Sequence, residues 1–292
     1  SLAVLPLRKT IAIPDETVDI GDLDNVKGVV SEGKKYRILR LGENQSSHFG
    51  IYPDANATER LQTAFNRSDV QSILITNDVV STYSVGKQDA QGKILKFANG
   101  AKITSADTIR NLVIDAGANT QVITGQPVFI NLKTSNNKLY ATWFGVKGDG
   151  GNYSTALNYA MRVAANNKLE LILPEGVIYI DSYLQIRSNL VVTGTNTTIY
   201  FKQESGFVQF ATTLSNISIS NLSIKVVDTV NAANGVPVFS FVGAAYGIKN
   251  IRLENIKIDA NRKAGSTIRL SNVDSVVIDR VEAINSNAEG VY

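Results

Sequence analysis

The sequence predicts a mainly β chain of stacked parallel coils entered through a short capping helix, and three observations carry that expectation. First, residues 143–186, WFGVKGDGGNYSTALNYAMRVAANNKLELILPEGVIYIDSYLQI, read as an aromatic pair, a glycine-rich turn, an amphipathic helix and extended runs about a turn. Second, Asn189-Leu190-Val191-Val192, Asn216-Ile217-Ser218-Ile219, Asn250-Ile251-Arg252-Leu253 and Ser275-Val276-Val277-Ile278 recur at a nearly regular interval, close to one coil of a solenoid. Third, the opening of the first stretch has a copy about 95 residues upstream, Phe49-Gly50-Ile51 against Phe144-Gly145-Val146.

The helix is justified residue by residue. Ser154 or Thr155 caps it, Ala156, Leu157, Ala160, Met161 and Ala164 make one apolar face, and Asn166-Asn167 stop it. Leu169, Leu171 and Leu173 then alternate as a strand, Pro174-Glu175-Gly176 turns, and Ile178, Ile180, Leu184 and Ile186 open the next runs. A helix placed before repeating strands has a physical purpose in a parallel β-helix, whose first coil otherwise exposes its apolar interior and an unpaired edge. The recurring Asn suits the corners, where it tolerates left-handed backbone and bonds its neighbour in the next coil. A β-sandwich is the alternative architecture, but it calls for shorter hairpin links and no capping helix.

The run FGVKGDG, helix, LILPEG and Tyr resembles the start of the pectate-lyase-like β-helix domain of polysaccharide-degrading enzymes and bacteriophage tailspikes. The resemblance covers residues 143–292 and implies a right-handed parallel β-helix with a short capping helix. Where that family carries an acidic pair and a Thr after GDG, this chain has Gly151-Asn152-Tyr153-Ser154-Thr155.

Three regions are expected in order. Residues 1–48 form an N-terminal β-rich arm or attachment module, with strands at Thr10–Ile13 and Tyr36–Leu41 and turns at Pro14-Asp15-Glu16 and Ser31-Glu32-Gly33-Lys34. Its apolar side chains are too few to hold it alone, so it is expected to pack on another chain. Residues 49–138 form a smaller cap-plus-coil unit: Thr58 caps, Leu61, Ala64 and Phe65 pack, Ser72–Thr76, Lys93–Phe97, Asn111–Asp115 and Val128–Leu132 are strands, and Lys133–Lys138 is a linker. Residues 139–292 start the β-helix proper, with Val226–Gly243 as an inserted loop. Alternation puts Ile251, Leu253, Ile256 and Ile258 inside and Arg252, Glu254 and Lys257 outside. Gly290-Val291-Tyr292 falls in mid-pattern, so the coils are expected to continue beyond it.

Composition excludes several classes. The net charge of +3 is dispersed, with no basic block, which argues against nucleic acid. No apolar run reaches the ~18 residues of a membrane helix, and Ser1–Leu5 is too short and lacks the basic lead of a signal peptide. With no Cys and one His, a zinc site has too few ligands. His48 lacks a nucleophile partner, and Lys147-Gly148-Asp149-Gly150 lacks the order of a phosphate loop.

Carboxylates are the remaining chemistry. Asp259, Asp274, Asp279, Glu282 and Glu289 gather on the last coils, and Asp259, Asp279, Glu282 and Glu289 are the catalytic candidates of a glycoside hydrolase. Residues 285–291 also resemble the family's coil motif, with an acidic residue before Gly. A lyase would instead need calcium-binding carboxylates and a base, for which Arg262, Lys263 or Arg280 stand near; otherwise no cofactor is expected. Solvated outer-face charge is the competing reading of all of them.

The resemblance, with the active groove expected on coils beyond residue 292, implies the structural and attachment part of a phage tailspike or tail fibre in the virion. It would be a homotrimer that engages a tail or baseplate protein through its N-terminal module and leads to a distal part binding host surface polysaccharide. Tyr200, Phe201, Phe207 and Phe210 are the expected exposed aromatic strip of the trimer. The alternatives are a secreted or cell-surface polysaccharide lyase or glycoside hydrolase, and a non-catalytic carbohydrate-binding adhesin.

Overall fold

The computed structural model describes the backbone of residues 10–14, 28–31 and 34–40, and residues 44–292 except 55, 77–81, 203–205, 228–236, 245–246, 288–289 and 292. Side chains are described from residue 44 onward, that of His48 excepted. The chain is mainly β and divides into two compact units, residues 1–135 and 136–292.

The first unit opens with an antiparallel sheet of β1 (Thr10–Pro14), β2 (Gly28–Ser31) and β3 (Lys34–Arg40) in the order β1-β3-β2. Strands β1 and β3 were legible, whereas β2 has too few residues to show alternation. Of the expected turns, residues 15–16 and 32–33 lie outside the described residues.

Every later strand of this unit pairs in parallel. After β4 (Asn44–Gln45) and a 3-10 turn at Ser46–Phe49 comes α1 (Ala57–Phe65). The chain then visits three sheets in rotation: β5 (Ser72–Ile75), β6 (Thr82–Ser84), β7 (Gln88–Asp89), then β8 (Ile94–Phe97), β9 (Lys102–Ser105), β10 (Thr108–Arg110). The next circuit is β11 (Val113–Asp115), β12 (Ile123–Gly125) and β13 (Val128–Ile130), and β14 (Lys133–Thr134) starts another. The sheets run β14-β11-β8-β5-β4, β12-β9-β6 and β13-β10-β7. Register stacks Ile73 on Leu95 and Ile114, and Tyr83 on Ile103 and Ile123, all buried. Successive circuits therefore share continuous apolar columns, which is why such short strands suffice. The expected linker at 133–138 needs correcting: its first two residues are β14, because backbone pairing to β11 does not depend on their polar side chains.

The second unit has β15 (Lys138–Tyr140), a 3-10 turn at Ala141–Phe144, β16 (Asp149–Asn152) and α2 (Ser154–Asn167). Its circuits alternate between two parallel sheets. One holds β17 (Glu170–Ile172), β18 (Gly176–Ile180), β20 (Val191–Phe201), β22 (Leu214–Val226), β24 (Ile248–Asp259) and β26 (Val273–Ile284). The other holds β19 (Leu184–Ile186), β21 (Phe207–Gln209), β23 (Phe239–Val242) and β25 (Ile268–Ser271). Val192, Ile219, Leu253 and Ile278 lie in one row, so the repeat read from Asn189 onward is the rise from strand to strand. The expected insertion is shorter than Val226–Gly243, because the alternating Phe239 and Phe241 form β23; residues 228–236 lie outside the described residues.

Strands β20, β22 and β24 bend at Asn residues in the left-handed region, and β26 does so at Ser275 and Arg280. One ladder is Asn189, Asn216 and Asn250, with each later Nδ2 donating to the earlier Oδ1 at 3.2 and 3.1 Å. A second contains Asn196, Asn221 and Asn255, and Asn255 Nδ2 donates to Asn221 Oδ1 at 2.8 Å. Asn supplies both the tolerance for positive φ and the bond that ties neighbouring strands together. Inside, Phe201, Phe207, Phe239 and Phe241 form a buried aromatic stack with neighbouring centroids 5.6, 4.9 and 6.5 Å apart.

That stack corrects the expected aromatic strip. Phe201 and Phe207 are at most 1% exposed, because alternation turns them inward, and Tyr200 packs edge-on against Tyr179. Only Phe210 of the four is largely exposed.

Both helices guard strand edges, although not through the hydroxyl caps expected. Asn56 and Tyr153 occupy the N-cap positions without a side-chain bond there. Thr58 Oγ1 instead accepts from Gly86 N, and Ser154 Oγ accepts from Asp181 N. The α2 helix runs through Asn167 and stops at Lys168 in the left-handed region, where Leu169 N bonds Ala164 O, so Asn166-Asn167 is not the stop. Next to the edge strands, Asp89 N donates to Gln62 Oε1 and Gln62 Nε2 donates to Asp89 O. In the second unit Gln185 N donates to Asn158 Oδ1, and Asn158 Nδ2 donates to Tyr183 O. A helical amide thus takes the place of a missing strand.

Candidate functional site

The sequence candidates converge on the outer face of the long-strand sheet in the second unit. Beyond the bend at Asn196, Asn221 and Asn255, two outward rows cross the strands in register. One is Val177, Thr198, Ser223, Lys257 and Glu282; the other is Tyr179, Tyr200, Lys225, Asp259 and Ile284. An open groove of about 320 Å³ runs along the bend, walled by the three Asn residues, Ser223, Lys257 and Arg280. Thr197 beneath it is buried and donates to Pro174 O at 2.7 Å, and Asn196 Nδ2 donates to Glu175 Oε1 at 3.0 Å. Stacked β backbone makes the floor rigid, so the spacing of these side chains is that of the strands, about 4.8 Å.

Charge on this face is locally balanced. Arg252 Nε meets Glu254 Oε2 at 2.8 Å, and Arg280 meets both Glu254 and Asp279, the latter at 3.1 Å. Lys257 Nζ lies 3.3 Å from Glu282 Oε2. The hydrogen bond from Arg252, with the charges of Arg252 and Arg280, holds the Glu254 carboxyl below its ordinary range. Asp259 Oδ1 accepts from Asn285 Nδ2 at 2.9 Å and Asn261 N at 3.0 Å. These bonds, Asn285 first, lower its pKa against the opposing effect of burial.

The candidates are therefore gathered but not poised as an acid–base pair. Asp259 and Glu282 are diagonal neighbours on one face, while Asp279 lies across the bend beside Glu254, and Asp274 pairs with Lys249 in register. A hydrolase acid must keep its proton near neutral pH, and the bonds to Asp259 favour the opposite state. Calcium does not fit either: Glu254 and Glu282 already hold cationic side chains, and Asp259 accepts from amides. Among the described residues no three carboxylate or imidazole groups cluster as metal ligands. Of the three basic candidates only Arg280 lines the groove, while Lys263 Nζ donates to Val227 O. Glu289 and the side chain of His48 lie outside the described residues.

The Lys147–Gly150 turn has a packing origin. A Cβ on Gly148 would stand 1.6 Å from Glu175 O, so the backbones of the two turns touch where only glycine fits. Sequence reasoning placed Arg252, Glu254 and Lys257 outside, as found, but missed the edge-to-face Tyr179–Tyr200 pair, with centroids 5.1 Å apart. Its signal was present: each tyrosine alternates with buried Ile178, Ile180, Ile199 and Phe201. No protein-family model, curated protein or solved structure matches the chain. Among the described residues no helix is long and apolar enough to cross a membrane.

Proposed function

We propose that this chain is the structural and attachment part of a phage tailspike or tail fibre, a right-handed parallel β-helix that joins the virion to a distal part binding host polysaccharide. The handedness and the virion setting come from the resemblance around residues 143–186. Strands paired in parallel with regular rises, and helices placed on their edges, support the β-helix part of the reading. The observation that carries the non-catalytic part is the pairing of the outer-face carboxylates: Glu254 stands between Arg252 and Arg280, Glu282 meets Lys257, and Asp259 accepts two N–H groups. Carboxylates engaged in this way are not arranged as the acid and base of a glycan-cleaving pair.

The purified chain is expected to release no reducing ends or unsaturated products from capsular or lipopolysaccharide preparations. Turnover that Asp259→Asn and Glu282→Gln both abolish would replace this reading with an enzyme. Sedimentation is expected to give a trimer; a well-folded monomer at micromolar concentration would remove the trimeric assembly. The adhesin reading rests on the groove beside Tyr179 and Tyr200, since ring faces next to hydroxyl and amide groups suit sugars. Saturable glycan binding lost in Tyr200→Ala would favour it.

A further inference from the structure

The second unit carries another surface, unlike the charge-balanced groove. Tyr183 is 37% exposed and Phe210 63%, and their rings meet edge-on with centroids 6.2 Å apart. The bond from Asn158 Nδ2 to Tyr183 O, 2.6 Å, ties this pair to α2. Register pairs Ile186 with Gln209, so the next residues, Arg187 and Phe210, lie side by side at the strand ends. Arg187 donates to Gln185 Oε1, and the Arg162 guanidinium stands over the Tyr159 ring at 5.2 Å. Arg162 follows Asn158 by one turn of α2, which places it beside the Tyr183 segment, and burial, followed by the Arg162 charge, depresses the Arg187 pKa. Among the described residues neither arginine forms an ion pair with a carboxylate. The adjoining outward row, Gln185, Val208, Ser240 and Arg269, contains no acid.

We infer that the patch of Tyr183, Phe210, Arg162 and Arg187 is a docking surface for a different protein chain, one that presents a carboxylate beside an apolar side chain. Two unneutralised arginines call for negative charge, and the projecting ring calls for apolar contact. Aromatic and Arg side chains together are the composition of interface anchors. A second copy docked by two-fold symmetry would set arginine against arginine, which like-charge repulsion opposes, and self-association that Phe210→Ser abolishes in sedimentation would assign the patch to a neighbouring copy and overturn the proposal. A polyanion would satisfy the arginines but leave Phe210 in water. Any partner of this chemistry fits, whether or not the attachment reading holds.

The test is fluorescence polarisation of the full chain with a labelled synthetic peptide of alternating Glu and Leu, against a Lys–Leu peptide and heparin. The Glu–Leu peptide is expected to bind in a salt-sensitive manner and the Lys–Leu peptide not to bind. Phe210→Ser and the double variant Arg162→Ser/Arg187→Ser should each weaken binding at least about tenfold. Tyr52→Ser, which removes an exposed ring in the other unit, should leave it unchanged. Phe210 is exposed enough for its variant to fold, which a melting curve checks, so that variant decides the matter if the double variant is unstable. No binding of the Glu–Leu peptide at about 1 mM, or heparin binding of equal strength indifferent to Phe210→Ser, would overturn the proposal.

Discussion

The two units begin alike and then diverge. In each, a short strand, a 3-10 turn and a left-handed glycine lead to a helix, with Gly50 N on Ser47 O and Ile51 N on Ser46 O matched by Gly145 N on Thr142 O and Val146 N on Ala141 O. Each helix offers one amide side chain, Gln62 or Asn158, to a strand edge. Beyond that point the first unit uses three sheets of short strands, and the second merges its turns into long strands such as Leu214–Val226, bent at Asn. The same helix-to-edge device therefore serves sheets of short strands and sheets of long ones. It requires an edge amide and carbonyl in reach of a helix, and nothing of the side chains in the coil.

The caps themselves give the most severe test of that device. Leu157→Asp in α2 and Leu61→Asp in α1 each set an unpaired carboxylate in a buried site, which should cost about 4 kcal/mol or more. Soluble yield and denaturant midpoints should fall in both variants, and a normal transition in either would show that its helix does not cover the core. Next is the turn that differs: Pro53 stands in the first copy where Gly148 stands in the second. Gly148→Ala should destabilise by roughly 2–4 kcal/mol because its Cβ meets the Glu175 carbonyl. Pro53→Ala should change stability by about 1 kcal/mol at most, and a tolerant Gly148→Ala melting curve would show that the two turns can separate.

A smaller difference concerns the ladders. Asn216 both accepts from Asn250 and donates to Asn189, so Asn216→Ala should cost about 1–3 kcal/mol through left-handed strain and lost bonds. Asn131, which donates to Asn111 in the first unit, should cost less when replaced by Ala. Equal losses by chemical denaturation would remove the distinction.

The mildest effect is electrostatic. Glu254 in the second unit and Asp89 in the first both have carboxyl pKa values lowered in the folded chain, Glu254 mainly by the bond from Arg252 and Asp89 by that from Asn111. A lowered folded value means that the stabilisation is complete above the unfolded pKa and is lost as pH falls through the folded one. Glu254→Gln and Asp89→Asn should therefore lower stability slightly at neutral pH and converge with the parent below about pH 4, which flattens the acid limb of the stability curve. An unaltered acid limb would show that these pairs are dissolved by solvent.

Amino-acid order alone settles the mainly β character, both helices, the doubled opening and the rise between long strands. These depend on local periodicity and on Asn and Gly conformations, which neighbours in sequence reveal. It also places Arg252 and Lys257 outside, because alternation is a local property of a strand. Folding in three dimensions was needed to show that Phe201 and Phe207 stack inward while Phe210 projects, since the inner face is fixed by pairing to strands distant in sequence, Phe201 with Val226 and Phe207 with Phe239. The same holds for β14 in a polar segment, the helix amides on strand edges, and the cations that hold Glu254 and Glu282. Each of these depends on a partner distant in sequence, and polar side chains carry no local mark of the partner they will meet.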